Sequence, residues 1–309
     1  MTGRTDLTMT AAIFKRTFRV RNYECDAYGH VNNANYLRYM QETAIDASAA
    51  VGWDEARYQA AGTMWLIRET DIEYLAPLHF GDSVEITTWV GDFRRVRSRR
   101  FYELRKVGGE LVARGSTDWV YINRTTAQPA SIPITMISDF APPDLAMPGD
   151  TTETLQVLPS RKKFPPAPPP PPGIFTMTRT AEWRDIDPAG HVNNATYMNY
   201  MEEAAIQAAK SFGWSVNRMR AEGFAIVARR HQIEYRTQVQ LGDEITVSTY
   251  LSDVRRINAT RHYIIARAGD GELIAQARSL YVFVNPDTGN IVRVPQDVLN
   301  DFAPGIAEG

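Results

Sequence analysis

Two stretches of this 309-residue chain set a carboxylate, an imidazole and paired carboxamides at one fixed spacing. Asp26-Ala27-Tyr28-Gly29-His30-Val31-Asn32-Asn33 is followed 161 positions later by Asp187-Pro188-Ala189-Gly190-His191-Val192-Asn193-Asn194. An aspartate four residues before a histidine is a candidate acid–base pair, and the glycine between them marks a tight turn. Helical spacing begins just beyond each motif, so a helix N-terminus with unpaired N–H groups and a positive dipole end lies beside the carboxylate. Such a group of residues suits attack on a carbonyl whose oxygen becomes negative. The structural alternative is that both aspartates only tie down the turn and that Asn32, Asn33, Asn193 and Asn194 cap the helices.

No other group competes for the chemistry. Cys25 adjoins Asp26, but Ile186 takes its place in the second motif, so the position calls for a small apolar side chain rather than a nucleophile. His79, His231 and His262 match no metal-ligand spacing, and neither a Gly-rich phosphate loop nor a nucleophile elbow is present. Glu42 and Glu203 read as carboxylates held by hydrogen bonds or ion pairs. A net charge of −2 argues against nucleic-acid or anionic-membrane binding through bulk charge. No stretch reaches the roughly 18 apolar residues of a membrane span, and Met1–Ala12 lacks a signal-peptide core, so a cytoplasmic protein is expected.

The motifs belong to a duplication of the whole chain. Between 23–44 and 184–205, twelve of 22 positions are identical, and the register continues through Gly52-Trp53/Gly213-Trp214, Ile72-Glu73-Tyr74/Ile233-Glu234-Tyr235 and Phe140-Ala141-Pro142/Phe302-Ala303-Pro304. Expected boundaries are domain one at 1–143, a Pro-rich spacer at 144–173 and domain two at 174–309. In each copy a strand (Ile13–Arg21 in copy one) precedes the motif. A helix then runs from Asn33 to about Val51, a short one covers Asp54–Ala61, and four strands follow, with period-two alternation at Val84, Ile86, Thr88, Val90 and at Ile245, Val247, Thr249, Leu251. Strands following strands imply an antiparallel α+β fold.

This order, with Asp-x-x-Gly-His-Val-Asn-Asn between the first strand and the long helix, resembles the hotdog-fold thioesterases of the 4-hydroxybenzoyl-CoA thioesterase type. The resemblance implies an antiparallel sheet wrapped around the long helix, two such domains paired as an intrachain pseudo-dimer, and active sites at their interface. It makes Asp26 and Asp187 the base or nucleophile. The backbone N–H groups of Asn33 and Asn194 become the carbonyl-polarising donors, and His30 and His191 supporting residues or direct participants. The implied substrate is an acyl-CoA, with coenzyme A part of the substrate and no separate cofactor or metal. Arg94, Arg95, Arg255 and Arg256 then become candidates for its phosphates, the alternative being an exposed charged strand face. Double hotdogs often associate further, so a homo-oligomer is expected.

Three other readings stay open. One is an acyl-carrier-protein thioesterase, which shares the tandem architecture but whose plant-type members read Asp-x-Asn-x-His in the second motif, where this chain has Ala189. The second is a non-catalytic acyl-CoA binding module, and the third a hydratase, whose Asp–His spacing differs. Tyr28 against Ala189, and Thr63–Ile67 against Phe224–Ala228, suggest that the two sites differ, copy two being the roomier if these positions line acyl pockets.

Overall fold

The computed structural model describes residues 12–140 and 164–308. Copy one runs β1 (Phe14–Arg19), α1 (Asn33–Ala50), α2 (Glu55–Ala60), β2 (Thr63–Tyr74), β3 (Ser83–Arg94), β4 (Arg97–Lys106), β5 (Leu111–Asn123) and α3 (Ile134–Phe140). Copy two repeats it as β6 (Phe175–Thr180), α4 (Thr196–Ser211), α5 (Val216–Ala221), β7 (Ala225–Tyr235), β8 (Glu244–Ser252), β9 (Asn258–Arg267), β10 (Leu273–Val284) and α6 (Gln296–Phe302). The expected strand, long helix and four strands are all present. Short α3 and α6, which carry the aligned Phe140 and Phe302, are additional.

Every ladder is antiparallel, and the ten strands form one sheet in the order β1-β3-β4-β5-β2-β7-β10-β9-β8-β6. The copies join where β2 meets β7, with Ile72 opposite His231. Arg68 and Arg229, whose alignment the sequence left without a role, cross this seam reciprocally. Arg68 pairs with Glu234 at 3.2 Å and Arg229 with Glu73 at 3.4 Å. Along α1 the buried residues Tyr36, Met40, Ala44 and Ala47 recur at three- and four-residue steps, facing Val84 and Ile86 of β3. The result is the double hotdog, each sheet half curling around its own helix. Among the described residues no helix is long and apolar enough to cross a membrane.

Of the expected spacer, 144–163 lies outside the described residues. The end at 164–173 packs on copy two: Tyr250 donates to the Pro168 carbonyl at 2.6 Å, and the Gly173 N–H to that of Pro304 at 2.9 Å. A β-carbon on Gly173 would sit 2.4 Å from the Pro304 oxygen, so only glycine allows this contact.

Near the seam His231 is fully enclosed. Its Nδ1 lies 2.6 Å from the Ser279 hydroxyl, and burial pushes its pKa down to about 3. An unfolded chain takes up this proton near pH 6.5, whereas the folded one resists until about pH 3. Stability is therefore complete above pH 6.5 and falls, by up to ~1.4 kcal/mol per pH unit, as the pH drops through that window. Replacing His231 with threonine, the residue at the matching position 70, is expected to flatten the pH dependence of unfolding free energy between pH 6 and 4. Denaturant titrations at several pH values measure that slope; an unchanged slope refutes the assignment.

Candidate active site

Both motifs fold into the same turn. The aspartate N–H donates to the histidine carbonyl (2.7 Å from Asp26, 3.0 Å from Asp187) and the glycine N–H to the aspartate carbonyl. Gly29 and Gly190 sit at φ of 80° and 85°, the left-handed region that side chains disfavour. Val31 and Val192 then bond to Leu78 and Val239, each at 2.8 Å. Asn32 caps α1, its Oδ1 accepting from the Ala34 N–H at 3.0 Å, whereas Asn193 makes the matching bond to the Ala195 N–H (2.9 Å) within the turn that leads into α4, whose N-cap is Ala195. Tyr235 donates to the Asn194 carbonyl at 3.1 Å, holding the Asn194–Ala195 peptide ahead of α4, and the Asn194 N–H on the preceding peptide lies outside the helix.

Two supporting residues were not singled out from the sequence. Buried Glu24 and Asp185 accept from Tyr39 (2.6 Å) and Tyr200 (2.8 Å), tying each motif loop to its helix. The recurrence of an acid and a tyrosine fifteen residues apart in both copies was the available signal.

The two carboxylates differ. Oδ1 of Asp26 accepts from the N–H groups of Tyr28 and His30, at 2.8 and 3.1 Å. Asp187 accepts from Ala189 at 2.9 Å on Oδ1, and its Oδ2 lies 3.5 Å from Nδ2 of Asn193. His191 is buried, with Nδ1 3.8 Å from the Asp187 carboxylate and an Nε2 that has no hydrogen-bond partner among the described residues. His30 instead stands edge-on to His79, 5.0 Å between ring centres, and burial lowers its pKa. Tyr28 lies under the Arg220 guanidinium of copy two, 5.2 Å away, whereas the matching Ala189 leaves its surroundings open.

A cavity of about 1230 Å³ takes unequal parts of the two motifs into its lining. Copy two contributes Asp187, Pro188, Ala189, His191, Asn193 and Asn194 to its lining; copy one's motif contributes Asp26 and Asn32 but neither His30 nor Asn33. From there the cavity follows one stripe of α1, through Gln41, Ala44/Ile45 and Ser48/Ala49, to Trp53, Tyr58, Trp65, Val90, Phe93 and Phe140 inside copy one. Those walls suit an apolar chain, with the buried Arg100 guanidinium among them.

The expectation that copy two is roomier is therefore corrected, since the cavity lies against Met64, Trp65, Leu66 and Ile67 of copy one. Trp65 takes little room because its indole N–H donates to the Tyr58 hydroxyl (3.0 Å) and its ring lies against Tyr121. In copy two, Trp214, Phe224, Phe283 and Phe302 pack together with Ile226 and with Ile306, which bridges to Leu251. The copy-one positions matching the Ile306 segment lie outside the described residues.

Arg94, Arg95, Arg255 and Arg256 are all exposed around the β3–β4 and β8–β9 turns, and none lines the cavity; Arg94 pairs with Asp92 at 3.1 Å. The arginines that do reach the cavity are Arg16, Arg21, Arg38, Arg100 and Arg124. Burial raises the pKa of the Cys25 thiol, which weakens it as a nucleophile.

Comparison with known proteins agrees with this architecture. Oleoyl-acyl carrier protein thioesterase 1 of Arabidopsis thaliana is 27% identical over 214 residues, covering 65% of this chain and 57% of its own. The chain spans about half the length of the curated relatives it matches. Among solved structures, the 12:0-ACP thioesterase from Umbellularia californica superposes with a TM-score of 0.66 at 20% identity, over 87% of this chain and 93% of that one. An acyl-ACP thioesterase from Bacteroides thetaiotaomicron gives 0.64 at 19% identity, over 87% and 97%. The thioesterase-like superfamily model matches residues 20–145 and again 181–302, one match for each hotdog copy, and the chain belongs to that family.

Proposed function

We propose that this chain hydrolyses long-chain acyl thioesters at one site, built on Asp187, His191 and the Asn194 N–H of copy two and served by the acyl cavity of copy one. The observation that carries the reading is the joining of a carboxylate and an unpartnered buried imidazole nitrogen to the end of a large, largely aromatic and aliphatic cavity. Asp187 takes a proton from water, the hydroxide adds to the thioester carbon, and the helix-start N–H stabilises the resulting oxyanion. The C–S bond then breaks and the thiolate takes up the proton, giving acid and thiol. Direct attack by the carboxylate, forming an anhydride that water opens, is the other route open to the same group.

The thiol favoured here is a carrier-bound pantetheine. Arg94, Arg95, Arg255 and Arg256 lie away from the cavity, the arginines that line it being Arg16, Arg21, Arg38, Arg100 and Arg124, and the Arabidopsis relative is named for an acyl carrier protein substrate. Coenzyme A is the second reading. Thiol release from dodecanoyl thioesters of coenzyme A and of a carrier protein separates the two by their kcat/KM values. Tight binding of both without turnover contradicts hydrolysis and leaves an acyl-binding module.

A further inference from the structure

Position 41 of copy one and position 202 of copy two are equivalent on the long helices, yet one is glutamine and the other glutamate. Each reaches across the interface to the other copy's motif. Asn193 donates through Nδ2 to Oε1 of Gln41 at 3.1 Å, and Asn32 donates through Nδ2 to Glu202. The orientation of Asn193 is fixed, because its Oδ1 already accepts from the Ala195 N–H. Its NH₂ group therefore faces Gln41, the facing Gln41 atom is the oxygen, and the Gln41 NH₂ remains for the cavity that Gln41 lines. At the other motif Glu202 offers only further acceptor capacity, and burial, the largest influence, raises its pKa, with Asp26 and Glu203 adding to the rise.

We infer that Gln41, supplied by the opposite copy, is a positioning residue of the Asp187 site: it holds Asn193 against the carboxylate and places a neutral donor beside the reacting thioester. The two motifs, already unlike at Tyr28 and Ala189, differ in this cross-copy contact as well. A carboxylate at 41 would keep the bond to Asn193 but set a second negative charge near Asp187 and remove the donor. The inference rests on hydrolysis at Asp187, so both are tested together.

Gln41→Glu, Gln41→Met and Asp187→Asn are compared with the unaltered chain on the dodecanoyl carrier-protein thioester, with thermal melts confirming that each folds. Expected for Gln41→Met is a fall in kcat of about 100-fold with KM within about threefold, the lower end of the range for loss of one oriented donor. Gln41→Glu is expected to lower kcat similarly and to move the acidic limb of the pH–rate profile upward by about one unit, because a like charge raises carboxyl pKa values. A merely structural role would leave that limb in place. If Asp187→Asn abolishes turnover while both Gln41 variants keep the kcat and pH profile of the unaltered chain, the Gln41 inference is overturned and the site assignment stands. If Asp187→Asn retains full activity, the site assignment fails and the inference falls with it. Gln41→Met matches glutamine in length, so a folding defect in Gln41→Glu alone still leaves a decisive variant.

Discussion

Asp187→Asn is expected to lower kcat for thioester hydrolysis by about 10²- to 10⁴-fold, the range for loss of a general base, while Asp26→Asn stays within about threefold. The asparagine is chosen because its Oδ1 can still accept the Ala189 N–H, so the turn survives and the loss reports on charge. The asymmetry follows from the surroundings. Asp187 lies beside a buried imidazole with an unused nitrogen, next to Ala189, at the end of the copy-one cavity. Asp26 has its Oδ1 committed to two turn N–H groups, a histidine outside the cavity lining, and Tyr28 beneath Arg220. Rates over a concentration series for each single variant and the double variant check this. Equal losses from the two single variants would mean two working sites, and a loss confined to Asp26→Asn would place catalysis at the copy-one motif and refute the assignment to Asp187.

Local patterning made most of the fold legible. The 3.6-residue recurrence of Tyr36, Met40, Ala44 and Ala47 and the alternation of β3 and β8 depend only on neighbours along the chain. The motif turn was equally readable, since Gly29 and Gly190 are needed for backbone conformation, Asn32 caps α1 and Asn193 holds the turn that leads into α4. Features set by distant packing were not. Ile226 opposite Trp65 suggested more space in copy two, yet Ile226 packs in a cluster with Phe224 and Phe283 that also takes in Ile306, some 80 residues onward, which bridges to Leu251. Gln41 reads as an ordinary helix-surface residue until the partner copy brings Asn193 to it. Arg94 and Arg95 read as phosphate contacts because basic residues cluster there and guanidinium forks suit phosphate, but the hairpin carries that charge out to solvent.

Val90→Phe should shorten the acyl chains the enzyme accepts. Val90 lies on β3 in the cavity wall near Phe93, well along from Asp187, so a phenyl ring there occupies volume used by the distal part of a long chain and leaves the thioester end untouched. Each buried methylene contributes about 0.8 kcal/mol, so displacing three or four costs about 2.5–3 kcal/mol, roughly a 100-fold loss in kcat/KM for long substrates. Short acyl thioesters, which do not reach Val90, are expected to keep the rate of the unaltered chain. The duplication supplies an internal comparison, because Leu251 is the equivalent residue in copy two and is already covered by Ile306 and bonded through its carbonyl to the Ala307 N–H at 2.7 Å. Leu251→Phe overpacks that cluster and should lower stability by about 1–3 kcal/mol without changing the chain-length profile. A profile that moved with Leu251→Phe and not with Val90→Phe would place the acyl chain in copy two and overturn the assignment of the copy-one cavity.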